Sequence, residues 1–182
     1  MAKLVSKTYG DALFELALEQ GSVDALYEEA KVIKNLFLYN SELIKLLNHP
    51  KIDKDEKIQV IKDIFDGRAS NDMVGFLHVV IKKERQKDIV SILDYFIAVV
   101  KEYKKIGVAY VTTAYLLDAE KKQQIAKRLV ETTGYEKVEM NYIVDQNIIG
   151  GMIIRIGDRV VDSSIRTKLN KLSRELHSVQ IS

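Results

Sequence analysis

The sequence predicts an α+β protein, with an N-terminal six-helix bundle over residues 1–105 and a small α/β domain over residues 106–182. Three observations carry this reading. Up to about Tyr103 the apolar residues recur at helical spacing. After Gly107 they follow strand-like patterns, interrupted by one helical stretch. Finally, "NIIGGMIIRIGDRVVDSSIRTKLNKL", Asn147 to Leu172, places paired glycines inside an apolar run that leads through polar residues into a last helical pattern.

In the first half, "LVSKTYGDALFELALEQ" sets Val5, Tyr9, Ala12, Leu13, Leu16 and Ala17 on one broad face. Gly21 stops that helix, and Ser22 is placed to cap the next, whose face holds Leu26, Ala30, Ile33, Leu36 and Phe37. A shorter helix in "SELIKLLNH" ends at His49-Pro50, since proline restricts its predecessor and lacks a backbone donor. Asp53, with Glu56 three residues on, has capping-box spacing for "DKDEKIQVIKDIF", which Gly67 closes. "NDMVGFLHVVIKK" and "KDIVSILDYFIAVVKEYKK" supply the fifth and sixth helices.

In the second half, "VAYVTTAYL" is rich in Val, Thr and Tyr and reads as a strand. "DAEKKQQIAKRLVETTG" reads as a helix from Asp118 or Ala119 to Gly134. "KVEMNYIV" alternates Val138, Met140, Tyr142 and Val144 against Glu139, Asn141 and Ile143. "GGMIIRIG" and "DRVVD" read as strands joined at Gly157-Asp158, and the final helix, starting near Ser163 or Ser164, is expected to bury Ile165, Leu169, Leu172 and Leu176.

Composition narrows the function. The chain has no cysteine, which excludes disulfides, thiolate metal sites and cysteine nucleophiles. The net charge is +2; residues 1–105 balance 17 basic against 17 acidic groups, and residues 106–182 carry 11 against 9. Neither half has the single-sign footprint of a nucleic-acid binder. No apolar stretch approaches the ~20 residues of a membrane span. Asp11 and Glu15 interrupt what would have to be the core of a signal peptide. The protein is expected to be soluble, without direct membrane insertion.

No motif points to catalysis. Gly150-Gly151 is followed by Met152-Ile153-Ile154, with neither the lysine of a phosphate loop nor the third glycine of a dinucleotide fingerprint. The pair is expected to permit a bend or bulge, or close backbone packing. Asp162, Ser163 and Ser164 stand before a helix, where such side chains cap free amides; no histidine is near in sequence to activate a serine. His49, His78 and His177 show no metal-ligand spacing. An enzyme would need a pocket of convergent titratable groups. No catalytic residue, metal or cofactor is expected.

Two helices are broadly apolar. Besides its main face, the first carries Phe14 and Leu18 one turn apart; the fifth has Phe76, Leu77, Val80 and Ile81, widened by Met73 and Val74. Either these helices lie centrally in the bundle, or they form a groove for a partner's amphipathic helix.

In this order the segments resemble the delta subunit of bacterial F-type ATP synthase, a family similar to the mitochondrial oligomycin-sensitivity-conferring protein. The resemblance is strongest over residues 147–176, where Gly150, Gly151, Gly157, Asp158, Asp162, Ser164, Ile165 and Leu169 match the family pattern. "YGDALFELA", "LLNHPKI" and "VTTAYLLDAEKKQQI" agree more loosely. The chain departs from the pattern at Ser163, at Tyr115-Leu116 and at His78. The resemblance implies a non-catalytic peripheral-stalk subunit at the cytoplasmic face of the bacterial membrane. Its N-terminal domain would dock on the alpha/beta catalytic head and receive an alpha subunit's N-terminal segment between its first and fifth helices. That makes Phe14, Leu18, Phe76, Leu77 and Val80 groove candidates. Its C-terminal domain would join the C-terminal region of the b subunits, holding the head stationary during proton-driven ATP synthesis.

Overall fold

Helical spacing through the first hundred residues and strand spacing after it emerge as two packing units, Met1–Lys101 and Glu102–Ser182, in the computed structural model. It describes the backbone of residues 2–179 and the side chains of residues 4–175. Leu176 and His177 therefore lie outside the described side chains.

The first unit is built from helices α1 (Ala2–Glu19), α2 (Val23–Tyr39), α3 (Ser41–Leu47), α4 (Lys54–Phe65), α5 (Asn71–Lys82) and α6 (Ile89–Tyr103), with a 3-10 turn at Gln86–Asp88 before α6. Its core gathers Leu13 and Ala17 from α1, Leu26, Ala30, Ile33 and Phe37 from α2, and Ile92, Leu93 and Phe96 from α6. α1 faces this core differently from the expected stripe. Ala12 is exposed, and the small residues Ser6 and Gly10 are buried. The cause is close approach to α6: the Ser6 hydroxyl donates to Ser91 Oγ at 2.9 Å. A Cβ on Gly10 would strike the Tyr95 ring, whose hydroxyl donates to Asp11 Oδ1 at 3.0 Å.

Two expected caps also differ. Ser22 and Asp53 occupy the cap positions of α2 and α4, but neither side chain makes the capping hydrogen bond. Ser70 caps α5 instead, accepting from the Met73 amide at 3.3 Å while its hydroxyl donates to Glu29 at 2.7 Å.

The second unit runs β1 (Ile106–Thr113), α7 (Ala119–Thr133), β2 (Lys137–Val144), a 3-10 turn (Gln146–Ile148), β3 (Met152–Ile156), β4 (Arg159–Asp162) and α8 (Ile165–Val179). The strands form one four-stranded mixed sheet in the order β2-β1-β3-β4. β1 and β2 are parallel, so a crossover element must join them, and α7 is that element. β3 is antiparallel to both β1 and β4. The Asp118 carboxylate caps α7 by accepting from the Lys121 amide at 2.7 Å, and Gly134 ends it in the left-handed conformation.

α7 packs on one face of the sheet, where Ala109, Leu129 and Ile156 make a small core. The Tyr142 hydroxyl donates to the Lys122 carbonyl of α7 at 3.1 Å, and burial pushes this phenol's pKa upward. On the opposite face, the Arg155 guanidinium lies over the Tyr110 ring, 4.7 Å from its centroid.

The first strand stops earlier than "VAYVTTAYL" suggested: the Thr113 hydroxyl donates to the Tyr115 carbonyl at 2.8 Å and turns the chain, leaving Tyr115 and Leu116 exposed. Val144, expected on the inner alternation, is exposed at the end of the edge strand β2. The expected burial by the last helix fails as well. Ile165, Leu169 and Leu172 are all exposed, because α8 meets the turn at Gln146–Ile148 and does not lie across the sheet. No helix among the described residues is long and apolar enough to cross a membrane.

Candidate functional site

The paired glycines sit where β3 begins beside the junction of β4 and α8. Gly151 has φ +74, and a Cβ there would collide with the Ser163 carbonyl oxygen and lie 3.2 Å from Ser164 Cα. A Cβ on Gly150 would stand 2.7 Å from Ile165 Cδ1, and the Gly150 carbonyl accepts from the Ile165 amide at 2.9 Å. The pair thus admits close packing of two backbone segments. Just before it, Ile149 holds φ +67, a strained conformation for a β-branched residue. Farther on, Gly157 has positive φ and Asp158 does not; with Ile156 paired to Arg159, this is the pattern of a type II′ hairpin turn.

Asp162 and Ser164 cap α8. Asp162 Oδ1 accepts from the Ser164 amide at 2.8 Å, and Oδ2 accepts from the Thr167 hydroxyl at 2.8 Å. Ser164 Oγ, itself buried, accepts from the Thr167 amide at 3.2 Å. Ser163 has a different task, donating its hydroxyl to the Met152 carbonyl at 2.9 Å. The hydroxyls of Ser163 and Ser164 are engaged by Met152 and Thr167, and neither has a hydrogen bond to a histidine among the described residues. Nor do three potential metal-ligating His, Cys, Asp or Glu side chains converge among them.

The Ser164 amide, helped by the Ser164 and Thr167 hydroxyls, holds the Asp162 carboxyl below the ordinary aspartate range. A folded pKa below the unfolded one stabilises fully above the unfolded value, at about 4, and that stabilisation is lost as pH falls through the folded value. Asp162→Asn should therefore be less stable than wild type at neutral pH, with the difference shrinking as both are acidified below the ordinary aspartate range. Urea unfolding at the two pH values measures this. A difference that persists unchanged in acid would remove the carboxylate's charge from the account.

The five groove candidates separate by burial. Leu77 and Val80 are each 0% exposed; at about 100° per residue they fall on the inward stripe of α5 with Met73 and Ile81. They are core residues, and the expectation that they face a groove is corrected. Phe14 and Phe76 are partly buried against the core, while Leu18 is 41% exposed. Val79, three residues beyond Phe76, is also exposed. The sequence does not single it out, because it sits inside the apolar run Val79-Val80-Ile81, whose facing the composition hides.

The second unit leaves two apolar surfaces uncovered. One is the α8 stripe of Ile165, Leu169 and Leu172, spaced to lie along one side of a helix. The other is a cleft of about 860 Å³ between α7 and the β3–β4 hairpin. Its floor includes Met152, Ile154, Ile156 and Val161, and Ile125 and Leu129 form a wall. Lys127, Arg128, Glu131 and Arg159 line it as well. Nothing local in the sequence signals this cleft, because it arises from where α7 crosses the sheet.

Comparison with known proteins gives a consistent relationship. The family model for the ATP synthase delta (OSCP) subunit matches residues 5–176. The chain is 57% identical over 181 residues to ATP synthase subunit delta of Lachnoclostridium phytofermentans, covering 100% of both. It is 34% identical over 175 residues to the subunit of that name from Oceanobacillus iheyensis, covering 96% of each. Among solved structures, a chain of the Toxoplasma gondii mitochondrial ATP synthase hexamer shares the fold with a TM-score of 0.74 at 17% identity, covering 94% of this chain and 96% of that one.

Proposed function

The chain belongs to the ATP synthase delta (OSCP) subunit family, and on that premise we propose that it is the non-catalytic connector between the catalytic head and the peripheral stalk of a bacterial F-type ATP synthase. The helical unit docks on the alpha/beta head by receiving an alpha subunit's N-terminal segment. The sheet unit joins the C-terminal region of the b subunits at the cytoplasmic face of the membrane. One observation carries the reading: apolar side chains stay exposed on both units, Leu18 and Val79 on the first and the α8 stripe on the second. Surfaces of this kind suit protein partners. A stator needs only to hold its partners, with no bond-making group of its own.

The head-docking half is tested by titrating the full chain with a peptide of the cognate alpha subunit's N-terminal segment. Leu18→Asp places a carboxylate in the apolar contact and should weaken binding by about 2–5 kcal/mol. Because Leu18 is already 41% exposed, circular dichroism should show unchanged helicity and melting. Equal affinity for wild type and variant would take Leu18 out of the interface. No binding by wild type would defeat the head-docking role.

A further inference from the structure

We infer that α8 lies flat on an anionic lipid surface, giving the chain a direct hold on a membrane besides its protein partners. The helix has no packed side. Every side chain from Ile165 to Glu175 is exposed, and the main contact of α8 with the rest of its unit is the Gln146–Ile148 turn. Isolated helices of about 15 residues are marginal in water, so one that buries none of its described side chains calls for a surface from outside. Ile165, Leu169 and Leu172 form the face such a surface would cover. Ile149, also exposed, adjoins their first turn through Gly150, whose carbonyl accepts from the Ile165 amide at 2.9 Å.

Charge selects the occupant. Arg166, Lys168, Lys171 and Arg174 stand against one carboxylate on the helix, Glu175. Lys171 pairs with Glu175 at 4.0 Å, while Arg166, Lys168 and Arg174 have no acidic partner among the described residues. The acid just before the helix, Asp162, is committed to the Ser164 amide and the Thr167 hydroxyl. At about 100° per residue, Arg166 falls on one flank of the apolar stripe and Lys168 on the other. Basic side chains so placed rest their stems on apolar surface and hold their charges among headgroup phosphates. A second copy would bring the same cations against the stripe. Cations on both flanks favour a surface that is negative throughout, which anionic lipid supplies. The contact is interfacial, since a helix of fifteen residues with this charge does not span a bilayer. This inference goes beyond the stalk reading: a protein covers the stripe in the assembly, and lipid covers it in a chain outside the assembly, so the two compete.

The test is flotation of the full chain with vesicles of phosphatidylcholine, alone or mixed with phosphatidylglycerol. Binding should require the anionic lipid and weaken as salt is raised. Arg166→Gln/Lys168→Gln should reduce it about 25-fold, near fivefold for each cation, and Leu169→Asp about tenfold or more. Leu18→Asp, on the other unit, should bind like wild type. All four positions are exposed, so circular dichroism should show unchanged folding. Spin-labelled phosphatidylglycerol should also broaden the methyl resonances of Ile165, Leu169 and Leu172 in wild type before those of Ile125 and Leu129, a readout that needs no variant. No binding to the anionic vesicles, equal binding to phosphatidylcholine alone, or binding unmoved by Leu169→Asp would overturn the inference. The stalk reading is tested apart, without lipid, by titration with a peptide of the cognate b subunit's C-terminal segment. A wild type that ignores vesicles while Leu169→Asp loses that peptide would give the stripe to the stalk alone. A wild-type dimer that Leu169→Asp dissociates, with no vesicle binding, would give it to a second copy.

Discussion

Leu77→Asp should abolish the cooperative thermal transition of the helical unit. Leu77 is 0% exposed at the centre of α5's inward stripe. Removing a buried leucine costs about 2–5 kcal/mol through lost transfer energy and the cavity left behind. Putting a carboxylate in its place adds several more for desolvation without a partner. The total rivals the roughly 5–15 kcal/mol by which a domain of ordinary size is stable. Far-UV circular dichroism of the full chain, followed through a melt, makes the measurement. A normal transition accompanied by weakened alpha-peptide binding would return Leu77 to a docking surface and refute its core assignment. Leu18→Asp is the matched control, since it places the same charge on an exposed site.

Gly151→Ala should destabilise the sheet unit by about 2–6 kcal/mol, combining the strain of a side chain at positive φ with steric overlap. The overlap is with the backbone of Ser163 and Ser164, which cannot swing aside as a side-chain tip can. Gly134→Ala separates the two causes: Gly134 has φ +73 with nothing within 4 Å of its added Cβ. It should therefore cost only about 1–2 kcal/mol, the price of the conformation alone. Urea unfolding of both variants compares them directly. Equal losses would show that Gly151 serves backbone conformation only and that the close approach to Ser163 is without consequence.

What the sequence made legible was local. The change of period after Gly107 separates a helical region from a mixed sheet, and Asp118 and Gly134 bracket α7 because capping and left-handed termination act within a few residues. Asp162 and Ser164 were readable as caps for the same reason. Features that depend on distant partners were not readable. Ser6 and Gly10 are buried because α6 approaches them, and a count of hydrophobic residues gives no weight to small ones. On α5, apolar residues extend around so much of the helix that Leu77 and Val80 could not be told from Phe76 and Val79. On α8 the stripe was recognised, but periodicity reports that a face is apolar and does not report what covers it.

The order of the strands has a mechanical consequence. β1 and β4 both run antiparallel to β3, so they point the same way. The chain therefore enters the sheet at one end, at Ile106, and leaves it at the other, at Asp162. Tension between α6 and α8 is directed along the strands, while the ladder hydrogen bonds lie across them. The five residue pairs joining β1 to β3 and the four joining β3 to β4 are loaded together in shear. Had the chain left at the end where it entered, the same bonds would open one after another, like a zipper. A tethering subunit is judged by the force at which it yields, and this strand order raises that force without adding a single contact.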